Sequence, residues 1–358
     1  DRAAGSRYGY RPRCNCARAY LSCLQGGAIF WAQSFQDWRQ FWETRPARLP
    51  WYSFRSMRGE ILTKSFRILV LLLLVAFALR MYNLPQVSLR ADEAVTVFDV
   101  STDWGTLIQK LGTPGPHQPL YYLLLHGWMR LAGDSELASR YLSLSSGILL
   151  LPLVFVLGRR LFPRDLGAVG LWASLLVAIN PMLILDARDN RMYPLLAVFN
   201  LLSVYFSLSI LQNRGGWKHW IGYVASTTLA LYTHYLAAFI VITENILWVT
   251  LIWPLPHRKR RVARWFTAQA VAGLLFAPWL FRYMTVVSEF STDFLPLVKP
   301  VDMLRRALVG LSLGRSVEPE IGILISFGFL LTLGLGLWPR ASRSRNTGAS
   351  TAGSPAEV

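Results

Sequence analysis

Two adjacent acids, Asp92 and Glu93, stand in the stretch "SLRADEAVTVF" just beyond an apolar run that ends near Leu84. A carboxylate pair here either begins a helix, where acids favour the dipole, or lines a catalytic mouth at a membrane surface. Other polar groups recur beside apolar runs: His117 in "GPHQPLYYLLLHGW", Asp186, Arg188, Asp189, Arg191 and Tyr193 in "DARDNRMYP", and His234 in "LYTHY". Lone arginines and tyrosines at such places also anchor helices among lipid headgroups. Glu244 differs, because it falls near the middle of an apolar run. An ionisable group there is expensive, and it is either functional or bonded to a neighbouring helix.

The elements that position these residues are apolar. The chain is 53% hydrophobic and only 16% charged, against about 25% charged for soluble domains, so its composition is that of a membrane protein. The formal net charge of +17 gathers in short clusters between apolar runs and not in a basic groove, which argues against nucleic acid. Segments near 66–84, 141–158, 166–184, 194–211, 219–234, 236–253, 266–284 and 321–338 are expected spans. The run 119–133 contains His126 and Arg130. Placing it along the surface puts every basic cluster on one side, so it reads as a juxtamembrane helix. Both termini are then cytoplasmic, and the acids, arginines and histidines share the outer face of a plasma-membrane protein. In the last outer segment, Val301, Leu304 and Leu308 share one helical face, with Arg305 and Arg306 away from it. An interfacial helix and a loop helix packed on the bundle both satisfy that pattern.

Residues 1–56, which hold Cys14, Cys16 and Cys23, lack helical periodicity. They read as an extension foreign to the natural chain, with Met57 as the expected start of the transmembrane domain 57–338. The tail 339–358 reads as disordered. The cysteine spacing does not suit a zinc site.

The ordered set "ADEA", "HQPLYYLLLHGWMRLAGDSELASR", "DNRMYPLLAV", "LYTHY" and "FAPWL" resembles the bacterial branch of the dolichyl-phosphate-mannose–protein mannosyltransferase-like glycosyltransferases. The resemblance runs over about residues 57–285. It implies an all-α polytopic membrane protein, a GT-C-type transmembrane helix bundle with juxtamembrane helices in the outer loop 85–140. It also implies a polyprenyl-phosphate sugar donor and an acceptor glycan, lipid or protein arriving at the outer face among membrane lipids.

The same resemblance makes Asp92 the general base of an inverting transfer. One carboxylate must take the acceptor's proton as its hydroxyl attacks the anomeric carbon. The phosphate leaving group needs positive charge, for which Arg191 is the first choice and Arg282 the second. Glu93, His117, Asp189, Tyr193 and His234 complete the expected substrate pocket. A divalent metal, Mg or Mn, is expected to choose among Asp92, Glu93 and Asp189 if the enzyme uses one. Where the family has acid-Ala-Arg-Met-Tyr, this chain has Asp189-Asn190-Arg191-Met192-Tyr193, and where it has His-Pro-Pro-Leu this chain has His117-Gln118-Pro119-Leu120. The competing readings are a transporter or lipid flippase, favoured by Glu244, and an inactive truncated membrane scaffold, favoured by the short chain.

Overall fold

Long runs of Leu, Val, Ala and Phe with few breakers dictate helices, and helices are the secondary structure found. A computed structural model describes residues 51–112, 119–162, 165, 167–212, 216–252, 258–287, 299–314, 317, 322–323, 325–328 and 330–331. Among them the chain is all-α. The helices are α1 (Trp51–Met81), α2 (Ala91–Val100), α3 (Trp104–Leu111), α4 (Pro119–Ala132), α5 (Glu136–Leu161) and α6 (Ala168–Ile179). They continue with α7 (Pro181–Arg188), α8 (Tyr193–Leu211), α9 (Trp217–Thr233), α10 (Ala237–Ile252), α11 (Arg258–Val287) and α12 (Pro300–Leu313). Within the unit Arg55–Phe329, α5, α8 and α9 form the centre. Helix α5 packs on α6, α7 and α8, and α9 packs on α8 and α11.

By length and composition, Thr63–Gln86, α5 and α8 can each cross a membrane. The segment expected as one span over 166–184 consists of the bent pair α6 and α7, which meet at 58° and pass together as apolar enough for a broken span or a re-entrant loop. The cause is local. The Asn180 side chain accepts the Leu183 amide at 3.0 Å, and Pro181 has no amide to continue α6, so a new helix starts there. The exposed carbonyls at the end of α6 receive Arg80, a fully buried residue of α1. It donates to the carbonyls of Val177 and Ala178, each at 3.1 Å. A cation on a helix C-terminus offsets both the orphan acceptors and the dipole.

Small residues let α5 and α6 approach closely. A Cβ on Gly158 would lie 2.7 Å from the Gly170 Cα, and one on Gly170 would lie 2.7 Å from the Phe155 carbonyl oxygen. Ser174 of α6 adds a hydroxyl donated to the Leu151 carbonyl at 3.0 Å, an interhelical bond of the kind that holds membrane helices together.

Helix α4, with 14 residues, is about 21 Å long, short of the ~30 Å hydrocarbon core. It packs with α2, α3 and the start of α8 around Val100, Leu107, Tyr121, Leu125 and Leu195. The loop helices after α1 therefore have a core of their own, seated on the first turn of α8. The helix expected around Val301 is present as α12. Val301 and Leu304 are exposed, while Leu308 is half-buried and Val309 is buried. His117, the basic tail and most of the segment 321–338 lie outside the described residues, as does most of the 1–56 extension, whose last residues begin α1.

Candidate active site

Helix α2 starts where Arg90 has extended backbone and Ala91 turns helical. Successive helical residues are turned about 100° apart, so the two acids face different ways. Asp92 keeps 46% of its side chain exposed. Glu93 keeps 1%.

Glu93 accepts four hydrogen bonds inside the protein. Its Oε2 takes the Arg90 amide at 3.0 Å and Arg140 Nη2 at 2.8 Å. Its Oε1 takes the Asn190 amide at 2.8 Å and Arg140 Nε at 3.0 Å. Arg140 is 2% exposed and also donates to the carbonyls of Val87 at 2.6 Å and Ser88 at 3.1 Å. The expectation that Glu93 meets substrate or metal is therefore revised. Its oxygens are taken by donors from three segments, and it pins the start of α2 to α5 and to the 189–191 turn. Burial pushes the Glu93 pKa up, but the Arg140 bonds and the two backbone amides outweigh it and hold the carboxyl below its ordinary value.

The 189–192 turn is held from beneath as well. The Ser143 hydroxyl donates to the Arg191 carbonyl at 2.7 Å. Tyr121, buried in α4, donates to Asn190 Oδ1 at 2.6 Å. Asn190 itself is wholly buried, so the residue that replaces the family's alanine is a structural one. With its backbone fixed, the turn presents Asp189 and Arg191 beside Asp92. Arg191 Nη2 lies 2.7 Å from Asp92 Oδ2. Arg90 bridges the two acids, with Nε 3.5 Å from Asp92 Oδ1 and Nη2 2.7 Å from Asp189 Oδ2. The result is a row of alternating charge: Asp189, Arg90, Asp92, Arg191.

The row sets the acids apart chemically. Partial burial opposes ionisation of Asp92, but the hydrogen bond and charge of Arg191, with Arg90 behind them, bring its pKa below the ordinary value. Asp189 goes the other way. Burial raises it, Arg90 only partly offsets that, and the Glu93 and Asp92 charges add to the rise.

Residues 116–281 match the family model for dolichyl-phosphate-mannose-protein mannosyltransferase. Over that stretch the chain is similar to this family. The match supports a membrane glycosyltransferase of the mannosyltransferase type, and it covers α4 to most of α11, with Arg140, Asp189, Arg191, Tyr193 and His234. Asp92 and Glu93 precede it. Comparison with curated proteins and with solved structures gives no match.

Of the other expected pocket residues, Tyr193 and His234 come together. Their ring centroids lie 5.9 Å apart, joining the start of α8 to the end of α9, two residues beyond Arg191. His234 Nδ1 accepts the Leu236 amide at 3.1 Å, so in the neutral ring the proton sits on Nε2. Arg282 instead donates to the Gly112 carbonyl at the end of α3. Among the described residues, no three His, Cys, Asp or Glu side chains gather as a metal-holding group. The expected trio of Asp92, Glu93 and Asp189 does not form one, because Glu93 faces Arg140.

Glu244 is 3% exposed in α10. It accepts the hydroxyls of Ser203 at 2.9 Å and Tyr223 at 3.1 Å. Gln269 donates to the Tyr223 hydroxyl at 2.9 Å, so four helices meet on this carboxyl. Of its two readings, the one bonded to neighbouring helices is what the geometry displays.

Proposed function

We propose that this protein transfers a sugar from a polyprenyl-phosphate donor to an acceptor hydroxyl, with inversion, at the extracytoplasmic face of the plasma membrane. The observation that carries the reading is the half-exposed Asp92 carboxylate, 2.7 Å from the Arg191 guanidinium on a turn fixed from beneath. A base for the acceptor and a cation for the donor phosphate thus stand side by side.

In the reaction, the acceptor oxygen bonds to the anomeric carbon as Asp92 takes the hydroxyl proton. The bond from that carbon to the phosphate oxygen breaks, and its electron pair leaves with the lipid phosphate. Arg191 offsets the charge that the phosphate gains. At rest Arg191 is paired with Asp92 itself. A donor phosphate that draws the guanidinium away removes the strongest influence holding the Asp92 pKa down. The carboxylate becomes a stronger base only when donor is bound. Arg90 and Asp189 keep the row aligned, and Tyr193 and His234 form its aromatic border, against which the sugar would pack.

The proposed side of the membrane draws support from charge. Helix α5 runs from Arg140, under Asp92, to Arg159 and Arg160 at its other end. Lys218, Lys259, Arg261 and Arg264 stand at the beginnings of α9 and α11. These basic ends lie opposite the Asp92 end and suit the cytoplasmic side.

The test is Asp92→Asn in purified protein reconstituted in lipid, assayed for transfer from polyprenyl-phosphate mannose to a membrane extract of acceptors. The expected loss is at least about 100-fold. Stability should change by less than about 1 kcal/mol, because the ion pairs removed are solvent-exposed. Wild-type turnover in that variant excludes Asp92 as the base.

A further inference from the structure

A groove of about 750 Å³ runs between α9 and α11, from the start of α9 at Trp217 toward Leu275. Trp217, Ile221 and Val224 line it from α9, and Arg264, Val271 and Leu275 from α11. Its polarity is ordered along its length. Arg264 is the charged residue of the lining, one residue before Trp265, which packs on Tyr223, while Val271 and Leu275 lie further along α11. Lys218 sits over the Trp217 ring at 5.8 Å, and Lys259 is exposed one helical turn before Arg264. No Asp or Glu occurs between residues 254 and 282. Trp217, Ile221 and Leu275 are all more than half exposed, so the groove opens sideways.

Its length has a physical match. Arg264 to Leu275 spans about 16 Å at ~1.5 Å per residue, close to one leaflet, or half of the ~30 Å hydrocarbon core. An apolar slot one leaflet deep, with tryptophan and cations at its mouth, has the form of a single phospholipid. We infer that this groove seats one acyl chain of an anionic glycerophospholipid, with its phosphate on Arg264. The Tyr193–His234 contact puts the end of α9 beside the start of α8, so Trp217 lies at the far end from Arg191. A headgroup seated at that end is therefore distinct from the donor phosphate at Arg191. Charge complementarity selects an anionic headgroup, since the mouth offers cations and no carboxylate.

The test reads bound lipid and not transfer, so it stands apart from the proposed reaction. Purified protein is offered equal amounts of phosphatidylglycerol and phosphatidylcholine, and native mass spectrometry counts what is retained. The wild type should keep one phosphatidylglycerol in preference to phosphatidylcholine. Arg264→Gln should lower that retention about fivefold, the factor for ~1 kcal/mol per basic residue at an anionic surface, and leave phosphatidylcholine unchanged. Ala225→Trp, at an exposed position on the groove wall, should remove the bound lipid by filling the slot. Retention of no lipid, equal retention of phosphatidylglycerol and phosphatidylcholine, or indifference to both substitutions overturns the assignment.

Discussion

Replacing Glu93 by Gln separates a residue that builds the site from one that touches substrate. The side chain keeps its size, but one acceptor oxygen becomes an amide that can only donate. Two of the four bonds that Glu93 accepts then face a donor. Each charge-assisted bond lost is worth about 1.5–3 kcal/mol, which sums to about 3–6 kcal/mol. Leaving Arg140 buried without its counter-ion costs about 3–5 kcal/mol by direct analogy with broken buried pairs. The two routes count the same loss and agree. Glu93→Gln should therefore destabilise the protein by about 3–5 kcal/mol, measured by denaturant titration in detergent micelles. Arg140→Met should cost at least as much, since it also abandons the carbonyls of Val87 and Ser88. The double variant should be less destabilised than the sum of the singles, with a coupling of about 2 kcal/mol or more. The acid side carries a second signature. The folded pKa of Glu93 lies below its unfolded value, so its stabilisation is complete above the unfolded pKa and is lost as pH falls through the folded one. That part of the pH dependence should vanish in Glu93→Gln. A variant of wild-type stability that cannot transfer sugar would refute the reasoning and return Glu93 to the substrate pocket.

Asp92 must be ionised to act, and its pKa is lowered chiefly through Arg191 against the opposing effect of burial. The acid limb of kcat/KM, which reports the free enzyme, should accordingly lie below the ordinary aspartate range, and Arg191→Gln should move it to higher pH as well as lower the plateau, read from a pH–rate profile. Glu244→Ala should destabilise by about 2–4 kcal/mol in thermal unfolding, because the Ser203 and Tyr223 hydroxyls both lose an acceptor in a buried place. Glu244→Gln, which retains one acceptor oxygen, should lose less. Gly170→Leu should be strongly destabilising by the same measurement, since even its Cβ would meet the Phe155 carbonyl.

How far the sequence reveals this site depends on whether a feature is local. The apolar runs and charge clusters disclose an all-α membrane chain, and the motif order groups Asp92 with Asp189, Arg191 and Tyr193. The structure brings Asp92, Asp189 and Arg191 into one row. The different fates of Asp92 and Glu93 are not legible, because neighbours of like chemistry differ only in which way the helix turns them. That is decided by Arg140, 47 residues away. A signal was nevertheless present, since Arg140 and Ser143 are three apart on one face of α5, and an arginine leading into its apolar stretch needs a partner. Arg90 stands within "RADEA" and supplies the bridge between the acids, yet a cation beside two acids looks like ordinary surface charge. The bend at Asn180-Pro181 was equally open to view, as an N-cap residue followed by a proline. Hydropathy alone runs straight through it, because both halves are apolar.

The arrangement of charge also argues for why the proposed base and cation are partners before any donor binds. An unpaired Arg191 on a turn this firmly held would attract any anion, and an unpaired Asp92 would stand ready beside water. Paired at 2.7 Å, each is partly satisfied by the other, and a surface pair of this kind is worth only about 0–1 kcal/mol. A phosphate can displace such a partner cheaply. The buried Glu93–Arg140 pair below it cannot be opened at that cost. Two ion pairs one residue apart therefore divide the work: the buried pair fixes where the turn and α2 meet, and the exposed pair is weak enough to be exchanged for substrate.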